Sequence, residues 1–427
     1  MTFEQLKNYI ITSLNSSNTN KFNYNSLNLE IKSKINLFDI FRNINNSKKF
    51  FFSNPKNNKT IIAFGKLQEF DNHKSLNSFL NQYDFRAYGG LKFSDKIDED
   101  EIWTGFDKFR FVIPLIEIIK TDSSCKIILN YKNTESIINL LNLPYNDDSS
   151  LYKNKLIKMS SYPDKHEWDK NIKKCLALFD NDTLKKIVLA RRTELIYKNE
   201  LDSLDIFENL LTQSINSYDF YYSFEPQSAF MAISPERLYK RDGNLITSDS
   251  LAGTRARGVD NDDDKRLETQ LLKSKKEINE HNFVTNSIID SLSSISKEVM
   301  KLEVAKVKKF KNVQHIHLEI KAILNDNISD EEIINMLHPT PAVGGVPKEK
   351  AMEYINQFEH FDRGWYAAPV GYISKNTAEF CVAIRSGLVR ENTLNIFTGA
   401  GIIQDSVAEY EWKEIDNKMM NFLNVIK

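Results

Sequence analysis

The chain has 427 residues, of which 41% are hydrophobic and 27% are charged, and its formal net charge is −1. This composition supplies a large apolar core and excludes a disordered chain. The balanced charge gives no global field that would attract nucleic acid or an anionic membrane surface. We therefore expect no nucleic acid and no membrane among its partners.

The cysteines and the N-terminal segment bear on the compartment. Cys125, Cys175 and Cys381 are widely spaced, and no CxxC pair is present, so a reducing environment fits the sequence. The opening MTFEQLKNYIITSLNSSN is amphipathic and does not have the pattern of a signal peptide. No segment approaches the length of a membrane span. The sequence predicts a cytoplasmic protein.

Residues 1–160 alternate short helical and strand patterns and carry no cluster to which chemistry can be assigned. The segment FEQLKNYIITSLN predicts a helix, and TIIAFGKLQEF and FRAYGGLKFS predict strands. FRFVIPLIEIIKT followed by KIILNYK has the pattern of a hairpin. We treat this part as a variable N-terminal region.

Residues 161–427 carry denser strand patterns. KKIVLARRTELIY predicts a buried strand, Asp242-Gly243 predicts a hairpin turn, and the apolar spacing predicts a long helix over about 265–292. Three closing strands precede a terminal helix. Hairpin-linked strands without strict βαβ alternation predict an α+β fold with two mainly antiparallel sheets flanked by helices. We expect one large domain over 1–427.

Two pairs of glutamates lie on separate predicted helices, Glu277 with Glu280 and Glu411 with Glu414. A spacing of three residues places both carboxylates of a pair on one helix face. Such a face is most often simply solvated. Two such faces brought together would form an oxygen-only site of the kind that Mg²⁺ prefers. The spacing alone leaves both interpretations open.

A glycine-rich strand end and one arginine suggest binding of an anion. Gly399, Ala400 and Gly401 are small enough to let backbone N–H groups approach an anion closely, although the same residues can simply end a strand. Arg385 ends an apolar strand, where its guanidinium could clasp a carboxylate with two hydrogen bonds. An ordinary internal ion pair is the alternative for Arg385.

Nine motifs in this order resemble the chorismate-utilising enzymes, which include isochorismate, salicylate, anthranilate and aminodeoxychorismate synthases. The resemblance covers roughly residues 160–427 and rests on KIVLAR (186–191), SPER (234–237), LAGTRARG (251–258), NEH (279–281), HPTPAVGG (338–345), FDRGWYAAPVG (361–371), AIR (383–385), GAGI (399–402) and EYEWKE (409–414). It implies a fold of two large antiparallel sheets flanked by helices.

The resemblance also implies roles for individual residues. Glu280 and Glu414 would bind Mg²⁺, which grips the ring carboxylate of chorismate, and Glu277 and Glu411 would support the metal through bound water. The residues expected to contact the substrate are Gly253, Thr254, His338, Arg385, Gly399, Ala400 and Gly401. For His338 the alternative is a structural turn residue before Pro339.

By the same resemblance, Lys186 is the general base and Glu236 the general acid. A lysine base must lose its proton near neutral pH, and an acidic glutamate must keep its proton there, so each needs surroundings that favour the neutral form. Lys185 is not expected to be the base, because side-chain alternation along a strand puts it on the opposite face from Lys186.

Ala252 and two of the motifs point to the isochorismate-forming members. Aminodeoxychorismate synthases typically carry Lys where this chain has Ala252, whereas HPTPAVGG and RGWYAAPVG are most similar to isochorismate synthases. The expected reaction is the Mg²⁺-dependent conversion of chorismate to isochorismate, for menaquinone or siderophore biosynthesis, with menaquinone favoured. The alternatives are a salicylate synthase and an inactive carboxylate-binding scaffold.

Overall fold

The computed structural model describes residues 1–16, 24–54, 58–94, 101–144 and 154–426. Within these residues the α-helices are α1 (Phe3–Ser16), α2 (Leu37–Asn43), α3 (His73–Gln82), α4 (Glu135–Leu141), α5 (Lys165–Asp180), α6 (Ser203–Leu211), α7 (Asn261–Lys273), α8 (Lys275–Ile295), α9 (Asp330–Leu337), α10 (Lys348–Phe358) and α11 (Ala408–Leu423). None of these helices is both long and apolar enough to cross a membrane.

The strands are short in the N-terminal part and longer after residue 186. They are β1 (Asn25–Glu30), β2 (Lys49–Asn54), β3 (Lys59–Phe64), β4 (Gln68–Phe70), β5 (Arg86–Leu91), β6 (Phe109–Ile113), β7 (Ile116–Lys120), β8 (Cys125–Tyr131), β9 (Leu156–Tyr162), β10 (Lys186–Tyr197), β11 (Tyr218–Glu225), β12 (Ser228–Ser234), β13 (Arg237–Asp242), β14 (Leu245–Ala256), β15 (Ser296–Lys309), β16 (Val313–Leu324), β17 (Gly345–Val346), β18 (Pro369–Ser374), β19 (Thr377–Val382), β20 (Ser386–Arg390) and β21 (Thr393–Ile402).

These strands form two antiparallel sheets, which confirms the predicted α+β class. The first sheet has the order β1-β8-β7-β3-β2-β11-β12-β20-β21-β10-β17, with β9 also paired to β10. The second sheet has the order β15-β16-β14-β13-β19-β18-β5-β6-β4. The predicted Asp242-Gly243 turn joins β13 to β14, where Asp242 pairs with Leu245.

Strands from the first 131 residues lie inside both sheets. In the first sheet β2 pairs with β11, and in the second β5 pairs with β18. The segment predicted as one arm of a hairpin is divided at Pro114: β6 belongs to the second sheet, and β7 pairs with β8 in the first. Proline lacks the N–H that a continuous strand would need, so the chain changes sheets there.

An aromatic core fills the space between the sheets. Phe50 of β2 stacks on Tyr88 of β5 at a ring-centroid distance of 5.8 Å, and Phe52 meets Tyr372 edge-on at 5.6 Å. On the second sheet, α8 packs its apolar face through buried Val284 and other residues of the same stripe. Burial of such large rings and aliphatic stripes is the main force that holds the layers together.

The long helix predicted over about 265–292 is in fact two helices, α7 and α8. Ser274 ends the first and is the N-cap of the second, where its side-chain oxygen accepts a hydrogen bond from the backbone N–H of Glu277. A serine three residues before a glutamate is a helix-start signal that the apolar periodicity concealed. The break lets α8 begin beside β14 and present Glu277 and Glu280 near its N-terminus.

Candidate active site

A pocket of about 820 Å³ lies where β10 and β21 of the first sheet face β14 and β16 of the second. Residues of α8 and α11 complete its wall. Nine of the residues predicted from sequence line it, namely Lys186, Glu236, Gly253, Thr254, Glu280, Arg385, Gly399, Gly401 and Glu414. Motifs up to 228 residues apart in the sequence, counted from Lys186 to Glu414, therefore meet in one cavity.

Lys186 lies at the first position of β10, and its side chain is buried. Its Nζ donates a hydrogen bond to Oε1 of Glu280 at 2.8 Å. A Cβ at position 401 would lie 3.1 Å from Cε of Lys186, so glycine there leaves room for the lysine. Lys185 is exposed, as strand alternation predicted.

Glu236 lies between β12 and β13 and is buried. Its backbone is fixed on both sides: its N–H donates to Oγ of Ser234, and its carbonyl accepts from the N–H of Val382. Its Oε1 accepts a hydrogen bond from Oγ1 of Thr340 at 3.3 Å. Burial raises the pKa of the Glu236 carboxyl to about 8. The carboxyl therefore retains a proton at neutral pH, which is the state that an acid requires.

Gly253 and Thr254 form a bulge in β14 opposite β16. Gly253 has φ +73°, a left-handed conformation that favours glycine, and an added Cβ would lie 3.1 Å from the carbonyl oxygen of Glu277. The bulge turns the Thr254 N–H toward α8, where it donates to Oε2 of Glu277 at 2.9 Å. The motif thus joins β14 to the helix that carries the first glutamate pair.

Arg385 is half-buried in the cavity wall and takes a left-handed backbone conformation with φ +51°. One of its terminal nitrogens, Nη2, donates to Nε2 of His315 at 3.1 Å. Because a guanidinium only donates, the histidine proton must lie on Nδ1, which is 3.2 Å from the carbonyl oxygen of Gly253. Burial, aided by the charge of Arg385, lowers the pKa of His315 well below its ordinary value, so this ring stays neutral.

The predicted ligands of Mg²⁺ are two carboxylates on each of α8 and α11. Burial raises the pKa of Glu277 and of Glu411, and the charge of the neighbouring Glu280 or Glu414 raises it further. Oxygen donors that repel one another in this way suit a hard divalent cation. The donor chemistry therefore fits Mg²⁺.

Lysine ammonium groups are the cations paired with this centre. Lys186 holds Glu280, and Nζ of Lys418 lies 2.6 Å from Oε1 of Glu414. Although burial opposes ionisation of Glu280, the ammonium of Lys186 lowers its pKa below the ordinary value. Across the described ranges, no three His, Cys, Asp or Glu side chains converge in an arrangement that could hold a metal ion.

Two predicted substrate-binding residues lie outside the cavity lining. Nε2 of His338 lies 3.2 Å from the carbonyl oxygen of Phe93, and burial lowers the His338 pKa to about 3. The His338 ring packs edge-on against Phe93, and His338 is not among the residues that line the cavity. Ala400 is buried on the face of β21 opposite to Gly399 and Gly401, because side chains alternate along a strand.

Glu277 and Glu411 are also absent from the lining, although each is the neighbour of a residue that lines it. Glu277 is held by the Thr254 N–H. A hydrogen bond from Ser406 lowers the pKa of Glu411, against the larger effect of burial. Neither carboxylate lines the cavity beside Glu280 and Glu414, and their supporting role stays a prediction.

The cavity also contains residues that the sequence did not single out, among them His315, Tyr366, Thr398 and Lys418. Lys418 lies four residues after Glu414 on α11, a spacing that pairs opposite charges on a helix, so this signal was available. Lys418 also donates to the carbonyl of Gly399 at 2.8 Å. His315 and Tyr366 gave no comparable local signal.

The chain has clear relatives. A family model described as "Chorismate binding enzyme" matches residues 8–427. The isochorismate synthase MenF of Bacillus subtilis is 32% identical over 409 residues, covering 87% of each chain. The chloroplastic isochorismate synthase of Catharanthus roseus is 30% identical over 378 residues, covering 84% of this chain and 65% of that protein.

Solved structures show the same fold. The menaquinone-specific isochorismate synthase MenF from Escherichia coli has a TM-score of 0.89 with 23% identity, covering 100% of both chains. A putative 2,3-dihydroxybenzoate-specific isochorismate synthase, DhbC from Bacillus anthracis, has a TM-score of 0.74 with 26% identity, covering 89% of this chain and 96% of that one. With the family match over almost the whole chain, these findings identify the protein as a member of the chorismate-binding enzyme family.

Proposed function

We propose that this protein is an isochorismate synthase, which converts chorismate reversibly to isochorismate in menaquinone or siderophore biosynthesis. The observation that carries the proposal is that the buried side chains of Lys186 and Glu236 line one cavity with Arg385, for which the described residues supply no carboxylate partner. Relatives named isochorismate synthases support the product.

The reaction requires one proton to be removed and one to be supplied. Lys186 takes a proton from the water that attacks C2 of the ring, and Glu236 gives its proton to the hydroxyl that leaves C4 as the ring double bonds shift. The two transfers balance, so the substrate and product are isomers. The pKa of Glu236, raised to about 8 by burial, keeps the acid in its proton-bearing form at neutral pH.

The dianionic substrate is held by cationic and backbone groups. Arg385 offers a guanidinium fork to one carboxylate, and the backbone at Gly399 and Gly401 leaves space for close approach. Glu280 and Glu414, supported by Glu277 and Glu411, would hold Mg²⁺, whose charge would neutralise the ring carboxylate. Lys186 acts as the base only in its neutral form, so its Nζ must first lose one proton to solvent and leave Glu280.

Ala252 supports water, rather than ammonia, as the nucleophile. It lines the cavity, where aminodeoxychorismate synthases typically carry a lysine, and its methyl group leaves that volume open. The base Lys186 is the group that an incoming water requires and that ammonia does not.

The decisive experiment is to incubate the purified protein with chorismate and Mg²⁺, with and without a high concentration of ammonium, and to identify the products by chromatography. We expect isochorismate in both reactions. Salicylate with pyruvate would instead indicate a salicylate synthase, an amino product would overturn the choice of nucleophile, and unchanged chorismate that still binds would indicate an inactive scaffold.

A further inference from the structure

Arg385 is a half-buried cation that lines the cavity. In the described part of the chain no carboxylate forms an ion pair with it, and burial is the cause that lowers its pKa, to about 10. Its neighbours are the neutral Nε2 of His315, at 3.1 Å, and the ring of Phe310, whose centroid lies 5.4 Å from Cζ of Arg385. A partner carboxylate would fix the guanidinium but would also cancel its charge.

Phe310 is itself held rigidly. It is buried at the turn between β15 and β16, where its N–H donates to the carbonyl of Val313 at 2.8 Å. The side chain of Arg257 donates to its carbonyl oxygen at 2.7 Å. Its ring meets that of His315 edge-on at a centroid distance of 5.5 Å. The position of Phe310 is therefore fixed by hydrogen bonds of its backbone, which do not involve Arg385.

We infer that Phe310, which does not line the cavity, is a positioning residue for substrate recognition: its ring, with His315, holds the Arg385 guanidinium in the wall while leaving the charge available to a substrate carboxylate. An aromatic face attracts a guanidinium without carrying a formal charge. When the guanidinium is held in place before the substrate binds, less side-chain conformational freedom is lost on binding. This inference rests on the proposed function, because it deepens the role of the same cavity.

The left-handed backbone of Arg385 also helps to fix the position of this residue. Its left-handed φ turns the residue at the junction of β19 and β20, and the turn is fixed by the Ala383 N–H, which donates to the carbonyl of Ala368. Non-glycine residues adopt this conformation rarely and at a cost in free energy. The fold therefore stabilises both ends of the arginine, its backbone by the turn and its guanidinium by Phe310 and His315.

The test is steady-state kinetics of Phe310→Leu and Phe310→Tyr with chorismate as the varied substrate. We expect Phe310→Leu to raise KM about tenfold, or about 1.4 kcal/mol of binding, with kcat within about threefold of the natural enzyme. Phe310→Tyr retains the ring and should keep KM within about twofold. The matched control is Phe38→Leu, because the Phe38 ring lies 5.7 Å from Cζ of Arg42 and neither residue lines the cavity; the KM of this variant should not change.

A double-mutant cycle with Arg385→Lys separates this role from a merely structural one. If Phe310 acts through the planar guanidinium, Phe310→Leu should change KM less than threefold in the Arg385→Lys background. An unchanged KM in Phe310→Leu, or a tenfold rise that persists beside Arg385→Lys, would overturn the inference. Calorimetric binding of chorismate to the same variants gives the same comparison even if the natural protein forms no isochorismate, so the two proposals fail separately.

Discussion

Two buried polar regions lie between the sheets, and they differ in how completely their charges are paired. Near the N-terminal strands, Glu117 accepts hydrogen bonds from Arg86 at 2.8 Å, from Tyr88 at 2.8 Å and from Asn130 at 3.2 Å. In the cavity, Arg385 is bonded to a neutral histidine. Buried charges are tolerated in a fold when they are satisfied. Charges that the fold leaves unsatisfied are the ones that a ligand or a reaction can use.

The largest expected effect is at the base. Lys186→Ala should reduce kcat by about 10²–10⁴-fold, the usual contribution of a general acid or base, while chorismate still binds through Arg385. The matched control is Lys185→Ala, whose side chain is exposed on the opposite strand face and which should remain active. A dead Lys185→Ala beside an active Lys186→Ala would show that the register of the base assignment is wrong by one residue.

Glu236→Gln should lower kcat by a similar factor and yet stabilise the protein at alkaline pH. Burial raises the pKa of this carboxyl from 4.5 to about 8. Between about pH 4.5 and pH 8 the unfolded chain ionises this carboxyl while the folded protein keeps it protonated, so the natural protein loses stability as the pH rises through that range. Glutamine cannot ionise, and since one pKa unit corresponds to about 1.4 kcal/mol, the gain near pH 8 is a few kcal/mol.

Thermal denaturation of both proteins at about pH 5 and about pH 8 measures that difference. The gap in Tm between Glu236→Gln and the natural protein should widen with pH. A gap of constant size would mean that the carboxyl is not the group that titrates, and the acid assignment would lose its physical basis.

The glutamate pairs should divide into two classes in their need for Mg²⁺. Glu280→Gln and Glu414→Gln, which line the cavity, should raise the Mg²⁺ concentration for half-maximal activity by more than about 100-fold. Glu277→Gln and Glu411→Gln, at positions that do not line the cavity, should raise it about tenfold, in the range typical of supporting ligands. Equal and mild effects at all four positions, with Mg²⁺ binding followed by calorimetry, would contradict the metal assignment.

The sequence predicted the pairs and the motifs because each is local. Spacing places Glu277 with Glu280, strand alternation distinguishes Lys185 from Lys186, and the antiparallel class follows from hairpin-linked strands. Each of these features depends on residues within one element. The predicted placement of the paired glutamates, the base and the acid in a single site required the family resemblance, since nothing local joins them.

The features that the sequence did not predict depend on contacts between elements that are far apart in the sequence. His315 and His317 lie on the same face of β16, and alternation cannot say that only His315 reaches the cavity. His338 was placed in the site on its motif, yet the neighbour that receives its ring is Phe93, 245 residues away in the sequence. At Pro114 the chain passes from the second sheet to the first, and the apolar periodicity of this segment does not show that change.

The buried ion pair of Glu117 with Arg86 offers the contrasting experiment. Glu117→Gln would leave Arg86 without its buried counter-ion, and breaking such a pair typically costs about 3–5 kcal/mol of stability. Because none of these residues lines the cavity, the KM and kcat of the protein that remains folded should stay within about twofold of the natural values. A clear change in KM at a temperature where Glu117→Gln is folded would show that the two regions are coupled.

The smallest expected effect concerns the one hydrogen bond that the Glu236 carboxyl accepts from a side chain within the described residues. Thr340 donates to it, which favours the ionised form and lowers a pKa that burial has raised. The other charges that act on this carboxyl are Lys186 and Lys308, which lower its pKa, and Asp249, which raises it. Thr340→Val removes the donor, so the pKa of Glu236 should rise further.

Activity that depends on protonated Glu236 should then persist to higher pH. A net hydrogen bond of about 0.5–1.5 kcal/mol corresponds to an upward shift of about half to one pH unit in the alkaline limb of kcat. Thr340→Ser keeps the hydroxyl and should retain the natural profile. A lower kcat in Thr340→Val with an unchanged alkaline limb would mean that Thr340 only packs against its neighbours. A shift of the alkaline limb to lower pH would mean that the ionised carboxylate of Glu236, and not the acid, is the form that reacts.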